Sequence, residues 1–371
     1  MQKKAKQSTK DDKRQKMQNL MTELENGGRI SEPNAYKLYE LDLFTLAKFA
    51  QQRREKLHGK KVFFNLNRHI NPTNICADTC KFCAFSAHRK NPNPYMMTHE
   101  EIMRVVDETA ARGTKEVHIV SAHNKDSSWE WYLGIFKMIK AKYPQLHIKA
   151  MTAAEIDFLK RRWGLSYEES IDKMIEYGVD SMPGGGAEIF DEQIRAKICK
   201  GKVSSENWLK IHKLWHGKGR QSNATMLFGH IENTQHRVEH MLRLRRLQDE
   251  TGGFNAFIPL VWQKDNNFLQ VAHQLDSEEI LKTIAVARLV LDNIKHIKAY
   301  WASVGLNLAM VAQEFGADDL DGTIEKESIQ SAGGAKSANG TRLESFIEMI
   351  QTSNLIPVER DSLYNEIKIY A

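Results

Sequence analysis

Strand-like and helix-like segments alternate along most of the chain, and this alternation constrains the fold more than any other feature. Short apolar runs indicate strands at 62–68, 116–121, 147–151, 179–182, 222–228, 254–260, 296–301 and 317–321. Apolar residues at helical spacing indicate helices at about 98–112, 129–142, 153–161, 167–177, 204–216, 232–250, 278–292 and 303–314. Eight such alternations over roughly 260 residues favour a (β/α)8 barrel of the TIM type over an open doubly wound sheet.

Further helical segments flank the predicted barrel. Periodicity indicates helices at 12–26 and 33–57 before the first strand, and a last helix at 341–352 after the eighth. We therefore predict an α/β chain in three parts: an N-terminal helical segment packed on the barrel (1–57), the (β/α)8 barrel (58–322), and a C-terminal loop and helix extension (323–371). The small residues of Ser331–Gly340 form either a flexible linker to the last helix or a loop that closes over the barrel mouth.

Composition narrows the class of protein. The chain has 371 residues, 41% of them hydrophobic, which is enough for a large buried core. No apolar run approaches the ~20 residues of a membrane span, and the Lys-rich segment 1–16 lacks the apolar stretch of a secretory signal. We therefore expect a cytoplasmic protein with no membrane partner. The net charge of +6 is modest, and Asp and Glu are spread throughout, which favours anionic small molecules over nucleic acid as ligands.

Three of the four cysteines lie within eight residues, in a loop just past the first predicted strand. Cys76, Cys80 and Cys83 have the spacing C-x3-C-x2-C, whereas Cys199 is isolated and is expected in the core. Three thiolates on a short loop can hold three irons of a cubane [4Fe-4S] cluster, and the fourth iron is then open to a reacting ligand. A structural zinc site with His88 as fourth ligand is the alternative. An interchain disulfide is disfavoured by the odd number of clustered thiols and the lack of a signal peptide.

The aromatic residue before the last of these cysteines completes a known signature. With Phe82 in that place, the segment resembles the C-x3-C-x-aromatic-C motif of the radical S-adenosylmethionine (SAM) superfamily. The resemblance implies that Cys76, Cys80 and Cys83 hold a [4Fe-4S] cluster and that SAM, a co-substrate, chelates the open iron close to Phe82. One electron then cleaves SAM to methionine and a 5′-deoxyadenosyl radical. The resemblance also implies a full or partial TIM barrel with the cluster loop after the first strand, and an external one-electron donor such as flavodoxin or ferredoxin.

In a TIM-type barrel the working residues lie at the carboxyl ends of the strands, and the resemblance suggests SAM contacts for several of them. Ser121 and Ala122 stand where most relatives have a Gly-Gly segment whose backbone binds the amino group of SAM. Glu155, after the third strand, is a candidate acceptor for the ribose hydroxyls of SAM, although the helix dipole also favours a glutamate there. Arg195 is a candidate to pair with a carboxylate of SAM or substrate; a salt bridge on the helix surface is the alternative.

Other residues at strand ends are candidates to contact the substrate. Gly185, in the run of three glycines, would allow close approach of a ligand. Trp262 suits stacking on an aromatic substrate, or core packing. Asp319 and Asp321 are candidate acids or bases in a carboxylate-rich segment. The remaining candidates are side chains able to meet substrate carboxylates or other polar groups: His88, Arg89, His123 and Lys264.

A second stretch resembles one branch of the superfamily. Pro-Gly-Gly-Gly-Ala-Glu-Ile-Phe-Asp-Glu-Gln-Ile-Arg-Ala-Lys-Ile-Cys, residues 183–199, is similar to the futalosine enzymes of menaquinone biosynthesis and to the deazaflavin (FO) synthases. Within that branch, Ala150–Ile156 and Asp318–Thr323 look most like the aminofutalosine synthases, and the similarity extends from Ile30 to about Leu355.

This resemblance implies a reaction. The 5′-deoxyadenosyl radical would add to the enolpyruvyl double bond of 3-[(1-carboxyvinyl)oxy]benzoate, a small anionic aromatic substrate. Rearrangement and decarboxylation would then give 6-amino-6-deoxyfutalosine. Two alternatives stay open: hydrogen abstraction with cyclisation, as in dehypoxanthine futalosine cyclase or FO synthase, and a non-catalytic zinc-binding interaction protein.

Overall fold

The apolar runs and helical periodicities fold into ten strands and fifteen α-helices in the computed structural model, which describes residues 2–271, 274–324, 327–335 and 340–370. The strands are β1 (Lys61–Asn65), β2 (Asn67–Ile70), β3 (Glu116–Ile119), β4 (His147–Ala150), β5 (Ser222–Phe228), β6 (Phe254–Val261), β7 (His296–Ile297), β8 (Asp319–Gly322), β9 (Ile356–Arg360) and β10 (Glu366–Ile369). The helices are α1 (Gln2–Asn26), α2 (Glu32–Ala35), α3 (Leu43–His58), α4 (His99–Ala111), α5 (Trp129–Lys142), α6 (Ala153–Trp163), α7 (Tyr167–Glu176), α8 (Glu192–Ile198), α9 (Ser205–Gly217), α10 (Thr234–Thr251), α11 (Ser277–Val290), α12 (Trp301–Val304), α13 (Leu306–Val311), α14 (Ile329–Ala332) and α15 (Leu343–Thr352). Short 3-10 helices lie at Leu38–Glu40 and Ala312–Phe315.

Parallel pairing closes eight strand positions into a barrel. β2, β3 and β4 pair in that order, as do β5, β6 and β7. The fourth position is formed by the bridges of Ser181 and Met182 to β4 and β5, and a bridge from Lys298 connects β7 to β8. β8 in turn pairs with β1. Because β1 and β2 are one strand interrupted at Leu66, the ring is complete, and the prediction of a (β/α)8 barrel with N-terminal helices is confirmed.

The C-terminal extension contains two strands in addition to its predicted loop and helix. β9 pairs in parallel with β1, and β10 pairs antiparallel with β9. At the end of β9, Arg360 Nε donates to Asp319 Oδ2 at 2.6 Å, with both side chains fully buried. The strands were missed because they are short, charged, and in β9 interrupted by Pro357, which weakens the usual strand pattern. The part boundaries at 57 and 322 stay predictions.

A buried arginine of α3, Arg54, attaches the N-terminal helices to the barrel. The Arg54 guanidinium is fully buried and donates to the backbone carbonyls of Gly59, Lys61 and Ala317. Carbonyl groups at the ends of strands and helices lack partners within their own element, so a buried guanidinium satisfies several of them at once. This contact holds α3 against the end of the barrel from which the strands start.

Side-chain caps explain where several barrel helices begin. Thr98, Thr152 and Ser166 each accept a hydrogen bond from the backbone three residues on, where a glutamate returns the bond, and so start α4, α6 and α7. Such reciprocal capping satisfies two backbone donors that the helix itself leaves free.

Element boundaries differ from prediction where the chain turns inside a periodic segment. The predicted helix at 303–314 is α12, α13 and a 3-10 helix, broken at Gly305, which has φ 84°. The predicted helix at 33–57 is likewise divided, because Asp42 caps the start of α3. None of the described helices combines the length and the apolar character that crossing a membrane requires.

Candidate active site

The cysteine loop is held at the carboxyl ends of the strands by backbone hydrogen bonds. Ala77 N–H donates to His123 O at 2.8 Å, after β3, and Lys81 N–H donates to Ile198 O at 2.8 Å, at the end of α8. Between these two anchors the loop presents its side chains to a cavity of about 250 Å³. The cavity is lined by residues of several strand ends, including Cys76, Cys80, Phe82, Cys83, Ser121, Ala122, His123, Gly185, Glu188, Lys202 and Trp262.

The three clustered cysteines fit the cluster that the motif predicts. All three are free thiols on one wall of the cavity, and Ser86 N–H donates to Cys83 Sγ at 3.4 Å. Burial raises the pKa of the Cys76 and Cys80 thiols, so these sulfurs become thiolate ligands through metal binding rather than as free groups. The predicted fourth ligand of the zinc alternative is not available. The two ring nitrogens of His88 lie 3.2 Å from Cys83 O and 3.1 Å from Lys90 N.

An ion pair stands next to the first cysteine. His123 Nδ1 lies 2.8 Å from Asp78 Oδ2, and the imidazole stacks on Phe158 with ring centroids 4.9 Å apart. Burial acts to raise the pKa of Asp78, but His123 together with Lys202 and Arg161 outweighs it, and the pKa is lowered. The pair ties the cysteine loop to the segment after β3. His123 was predicted to contact substrate and does line the cavity, whereas Asp78 was not singled out although it lies inside the motif.

A second ion pair supplies the cavity with a cation. Lys202 Nζ lies 2.7 Å from Glu188 Oε1 and 5.6 Å from the ring centroid of Phe82. Desolvation acts to lower the pKa of Lys202, but Glu188 together with the nearby Cys80 and Cys199 outweighs it, and the pKa is raised well above its usual value. Neither residue was predicted, because nothing in the sequence links a lysine to a glutamate 14 positions earlier across the cavity.

A deeper cavity of about 150 Å³ adjoins the first inside the barrel. The two share residues of their walls, among them Thr152, Gly185 and Ile329. The deeper cavity has a mostly apolar lining with polar groups from several strands, namely His69, Asn71, His118, Asn223, Tyr300, Asp321 and Glu327. Two neighbouring sites of this kind suit a reaction between two small molecules.

The polar groups of the deeper cavity are themselves paired. His118 Nδ1 lies 3.3 Å from His69 Nε2, on adjacent strands. Asp321 Oδ1 accepts from Lys298 Nζ at 2.5 Å. Burial acts to raise the pKa of Asp321, but Lys298 together with His69 and Lys149 outweighs it, and the pKa is lowered to about 2. Burial raises the pKa of Tyr300 well above its usual value, so its hydroxyl is a neutral donor at physiological pH.

Two glycines beside the cavities, Gly184 and Gly185, leave no room for a side chain. A Cβ on Gly184 would lie 2.7 Å from Asn223 O, and one on Gly185 would lie 2.7 Å from Thr152 Cγ2. Gly185 lines both cavities, so the predicted close approach has a structural basis, while its contact with substrate stays a prediction.

Part of the small-residue segment closes the barrel mouth. Ile329, Gln330 and Gly333 line the first cavity, and Gly333 O accepts a hydrogen bond from Asp265 N at 3.0 Å. The Glu327 carboxylate caps this turn by accepting from the backbone of residues 329, 330 and 331. Of the small-residue segment, Gly333 lines the first cavity, which favours the closing-loop hypothesis, and 336–339 lie outside the described residues.

Two residues predicted to contact SAM, Arg195 and Glu155, have hydrogen-bond partners within the protein. The Arg195 guanidinium is buried and donates to the backbone carbonyls of residues 186, 187, 189 and 203, and its Nε lies 4.0 Å from Glu192 Oε1 on the same helix. The salt-bridge alternative is therefore present, and pairing of Arg195 with SAM stays a prediction. Glu155 accepts from Thr152 N at 2.8 Å and from Ser121 N at 2.9 Å and lines neither cavity, and its contact with ribose stays a prediction. The interpretation of Glu155 as a residue of the first helical turn is confirmed, because it forms the capping box of α6.

Other candidates also lie away from the cavities. Asp319 is fully buried, is paired with Arg360 and lines neither cavity, and its role as acid or base stays a prediction. His88, Arg89 and Lys264 line neither of the two cavities, and their contact with substrate stays a prediction. The predicted roles of Phe82, Ser121, Ala122, His123, Trp262 and Asp321 stay predictions, and all six residues line one of the two cavities.

Comparison with known proteins identifies the family. The radical SAM superfamily profile matches residues 70–244, and that of the CofH/MqnC C-terminal region matches residues 251–370. The chain is 41% identical over 351 residues to an aminodeoxyfutalosine synthase of Thermus thermophilus, covering 93% of this chain and 94% of that protein. It is 35% identical over 359 residues to a cyclic dehypoxanthine futalosine synthase of Streptomyces coelicolor, covering 95% and 90%.

The chain belongs to the radical SAM superfamily. It is an enzyme of that type, and its cofactors are a [4Fe-4S] cluster and SAM, for which Cys76, Cys80 and Cys83 provide the motif. The solved structure of methylornithine synthase has the same fold, with a TM-score of 0.72 at 16% identity over 91% of this chain and 97% of the other. The zinc-binding alternative is thereby set aside.

Proposed function

We propose that this enzyme catalyses the aminodeoxyfutalosine synthase reaction. The 5′-deoxyadenosyl group of SAM is joined to the vinyl carbon of 3-[(1-carboxyvinyl)oxy]benzoate, and rearrangement with loss of the enolpyruvyl carboxylate gives 6-amino-6-deoxyfutalosine. The observation that carries the proposal is the 41% identity to an aminodeoxyfutalosine synthase along nearly the full length of both chains. The two adjoining cavities support it, because the reaction brings together two small molecules.

The first cavity is proposed to hold SAM. The cluster on Cys76, Cys80 and Cys83 supplies, when bound, the electron that cleaves the sulfonium of SAM. Lys202 is the cationic side chain of the cavity and is proposed to pair with the SAM carboxylate. Glu188 offers acceptor oxygens for the ammonium group or the ribose hydroxyls.

The deeper cavity is proposed to hold the aromatic substrate. Apolar walls such as Ile258 and Leu260 suit the ring, and the pair His69–His118 suits a carboxylate. The closing segment at 327–335 covers both cavities and so keeps water and stray hydrogen donors away from a reactive carbon radical. Holding the two reactants in contact converts their encounter into an intramolecular step.

Product analysis tests the proposal. Anaerobically reconstituted, reduced enzyme is incubated with SAM and the enolpyruvyl benzoate, and the products are identified by mass spectrometry. We expect a covalent adenosyl–substrate product in wild-type protein and in Cys199→Ala, whose cysteine is buried outside the motif. We expect none in Cys80→Ala, which should also lose iron and labile sulfide.

The second candidate is hydrogen abstraction with cyclisation, favoured by the 35% identity to a cyclic dehypoxanthine futalosine synthase. The same incubation distinguishes the two. Release of free 5′-deoxyadenosine with no adduct, together with turnover of dehypoxanthine futalosine, would replace the first candidate by the second.

The proposal includes an electron donor and a location. Because cleavage of SAM consumes one electron, the enzyme requires an external one-electron donor such as flavodoxin or ferredoxin. A cytoplasmic location is proposed with it, since free thiols and an oxygen-sensitive cluster suit a reducing compartment.

A further inference from the structure

Two cations lie on one aromatic ring on the outer side of the cluster loop. The Arg89 guanidinium carbon is 5.1 Å, and Lys90 Nζ 5.0 Å, from the ring centroid of Phe268. The backbone of Phe268 donates to Lys81 O at 2.7 Å. Because Lys81 follows Cys80 directly, the ring and its two cations are fixed next to the loop that carries the cluster.

A second pair of cations also lies next to Lys81 of this loop. Lys81 N–H donates to Ile198 O at 2.8 Å, which places the end of α8 against the loop. Lys197 and Lys200 flank this contact. We name the exposed cations of these three segments the basic face: Lys81, Arg89, Lys90, Lys197 and Lys200.

The charge of the basic face is not compensated. In the part of the chain that the structure describes, none of its five side chains forms an ion pair with a carboxylate, and Lys90 Nζ donates only to a backbone carbonyl, that of Asn267. Some exposed cations elsewhere do have carboxylate partners, as Arg29 has in Asp249 and Asp292. Exposed like charges without partners repel each other, which slightly destabilises the folded state. Such a group is typical of a surface that meets an oppositely charged partner.

We propose that the basic face is the docking surface of an acidic one-electron donor protein. One electron leaves the bound donor and enters the cluster, and no bond forms or breaks. The short path from the face to Cys80 suits this transfer, because Lys81 is its neighbour in the chain. The inference rests on the proposed function only in its need for a reduced cluster, and not on the identity of the aromatic substrate.

Electrostatic attraction sets the expected magnitude. Charged surfaces that face each other raise association rates by about 10- to 1000-fold, and salt weakens the effect because the Debye length is only about 10 Å at 0.1 M. Reversing two of the five charges should therefore slow association by at least about 10-fold at low ionic strength.

The test measures cluster reduction and complex formation in the holoenzyme. Reduced flavodoxin, an acidic protein, is mixed with the oxidised enzyme in a stopped-flow instrument, and loss of cluster absorbance gives the second-order rate at several salt concentrations. Calorimetry gives the dissociation constant of the complex. The variants are R89E/K90E and K197E/K200E. The control K56E/K60E makes the same charge change on exposed lysines at the opposite end of the barrel.

We expect both face variants to be reduced at least 10-fold more slowly, with a weaker salt dependence and a weaker complex, and the control to stay within twofold of wild type. Methyl viologen radical, a small cation, should reduce all three variants at least as fast as wild type, which shows that the cluster is intact. The proposal is overturned if flavodoxin reduces the face variants at the wild-type rate, or if the control slows as much as they do. Because no aromatic substrate is present, failure here is separate from failure of the proposed reaction.

Discussion

Replacing Lys202 by methionine tests whether the cation of the first cavity binds SAM or only balances a buried charge. Methionine keeps the length of the side chain but leaves Glu188 without its partner at 2.7 Å. The two side chains are 15% and 11% exposed, so the pair is mostly desolvated. Breaking a buried pair costs about 3–5 kcal/mol, and the residual exposure places this one near the lower end, about 3 kcal/mol.

Loss of Lys202 should also change the affinity for SAM. A hydrogen bond to a charged group contributes about 1.5–3 kcal/mol, and each 1.4 kcal/mol is tenfold in affinity. If Lys202 pairs with the SAM carboxylate, K202M should weaken SAM binding by about 10- to 150-fold. The double variant K202M/E188Q removes both charges, so it should recover most of the lost stability while SAM affinity stays low.

Urea unfolding and anaerobic equilibrium dialysis with labelled SAM provide the two measurements. K218M is the matched control, because Lys218 forms an exposed pair with Asp172 at 2.6 Å and should change stability by less than about 1 kcal/mol and SAM affinity not at all. The reasoning is refuted if K202M is destabilised yet binds SAM within twofold of wild type. Lys202 would then be a structural counter-ion of Glu188 alone.

Other perturbations test the barrel around the site. R360M leaves the fully buried Asp319 carboxylate without its ion pair and should lower the free energy of unfolding by about 3–5 kcal/mol, whereas R360M combined with D319N should recover most of it in denaturant titrations. The pKa of Asp321 is about 2 in the folded protein, because Lys298, His69 and Lys149 together outweigh the raising effect of burial. The unfolded value is about 3.9, so the contribution of Asp321 to stability is present above pH 4 and lost between pH 4 and 2. D321N should therefore reduce the fall in melting temperature between pH 4 and pH 2. A fall as large as that of the wild type would contradict the ion pair. G184A places a methyl group 2.7 Å from a backbone oxygen and should cost about 1–3 kcal/mol, while G217A, which meets no atom within 4 Å, should be neutral or stabilising in the same thermal melts.

The fold could be predicted from local signals because each strand and helix of a TIM barrel contacts mainly its neighbours in sequence. Apolar runs located most strands within one or two residues, and the cysteine spacing located the cluster loop. The two C-terminal strands escaped prediction because their stability comes from pairing and not from their own composition. β9 pairs with β1, where Ile356 is opposite Lys61, and β10 pairs with β9.

The placement of charged side chains was much harder to predict, since a sequence does not show which cations find partners within the protein. Arg195 lies in a segment that matches the family, yet its guanidinium is used by four backbone carbonyls. Arg89 was expected inside and lies on the surface against Phe268. Conversely Lys202, which does reach the cavity, stands in a stretch with no motif of its own. In each case the tertiary contacts of the side chain decide its role, and local sequence patterns do not encode them.

One signal in the strands themselves does indicate the deeper cavity. TIM-barrel interiors are normally filled by branched apolar side chains, and successive strand residues point alternately inward and outward. The first strand carries Asn65, Asn67 and His69 at alternate positions, and β3 carries Glu116 and His118 in the same way. Polar groups in that register must face the interior, where each costs free energy unless it is paired or meets a ligand. Polarity at the inward positions therefore predicts a binding cavity at this depth of the barrel from the sequence alone, because a barrel has little other reason to bury imidazoles on adjacent strands.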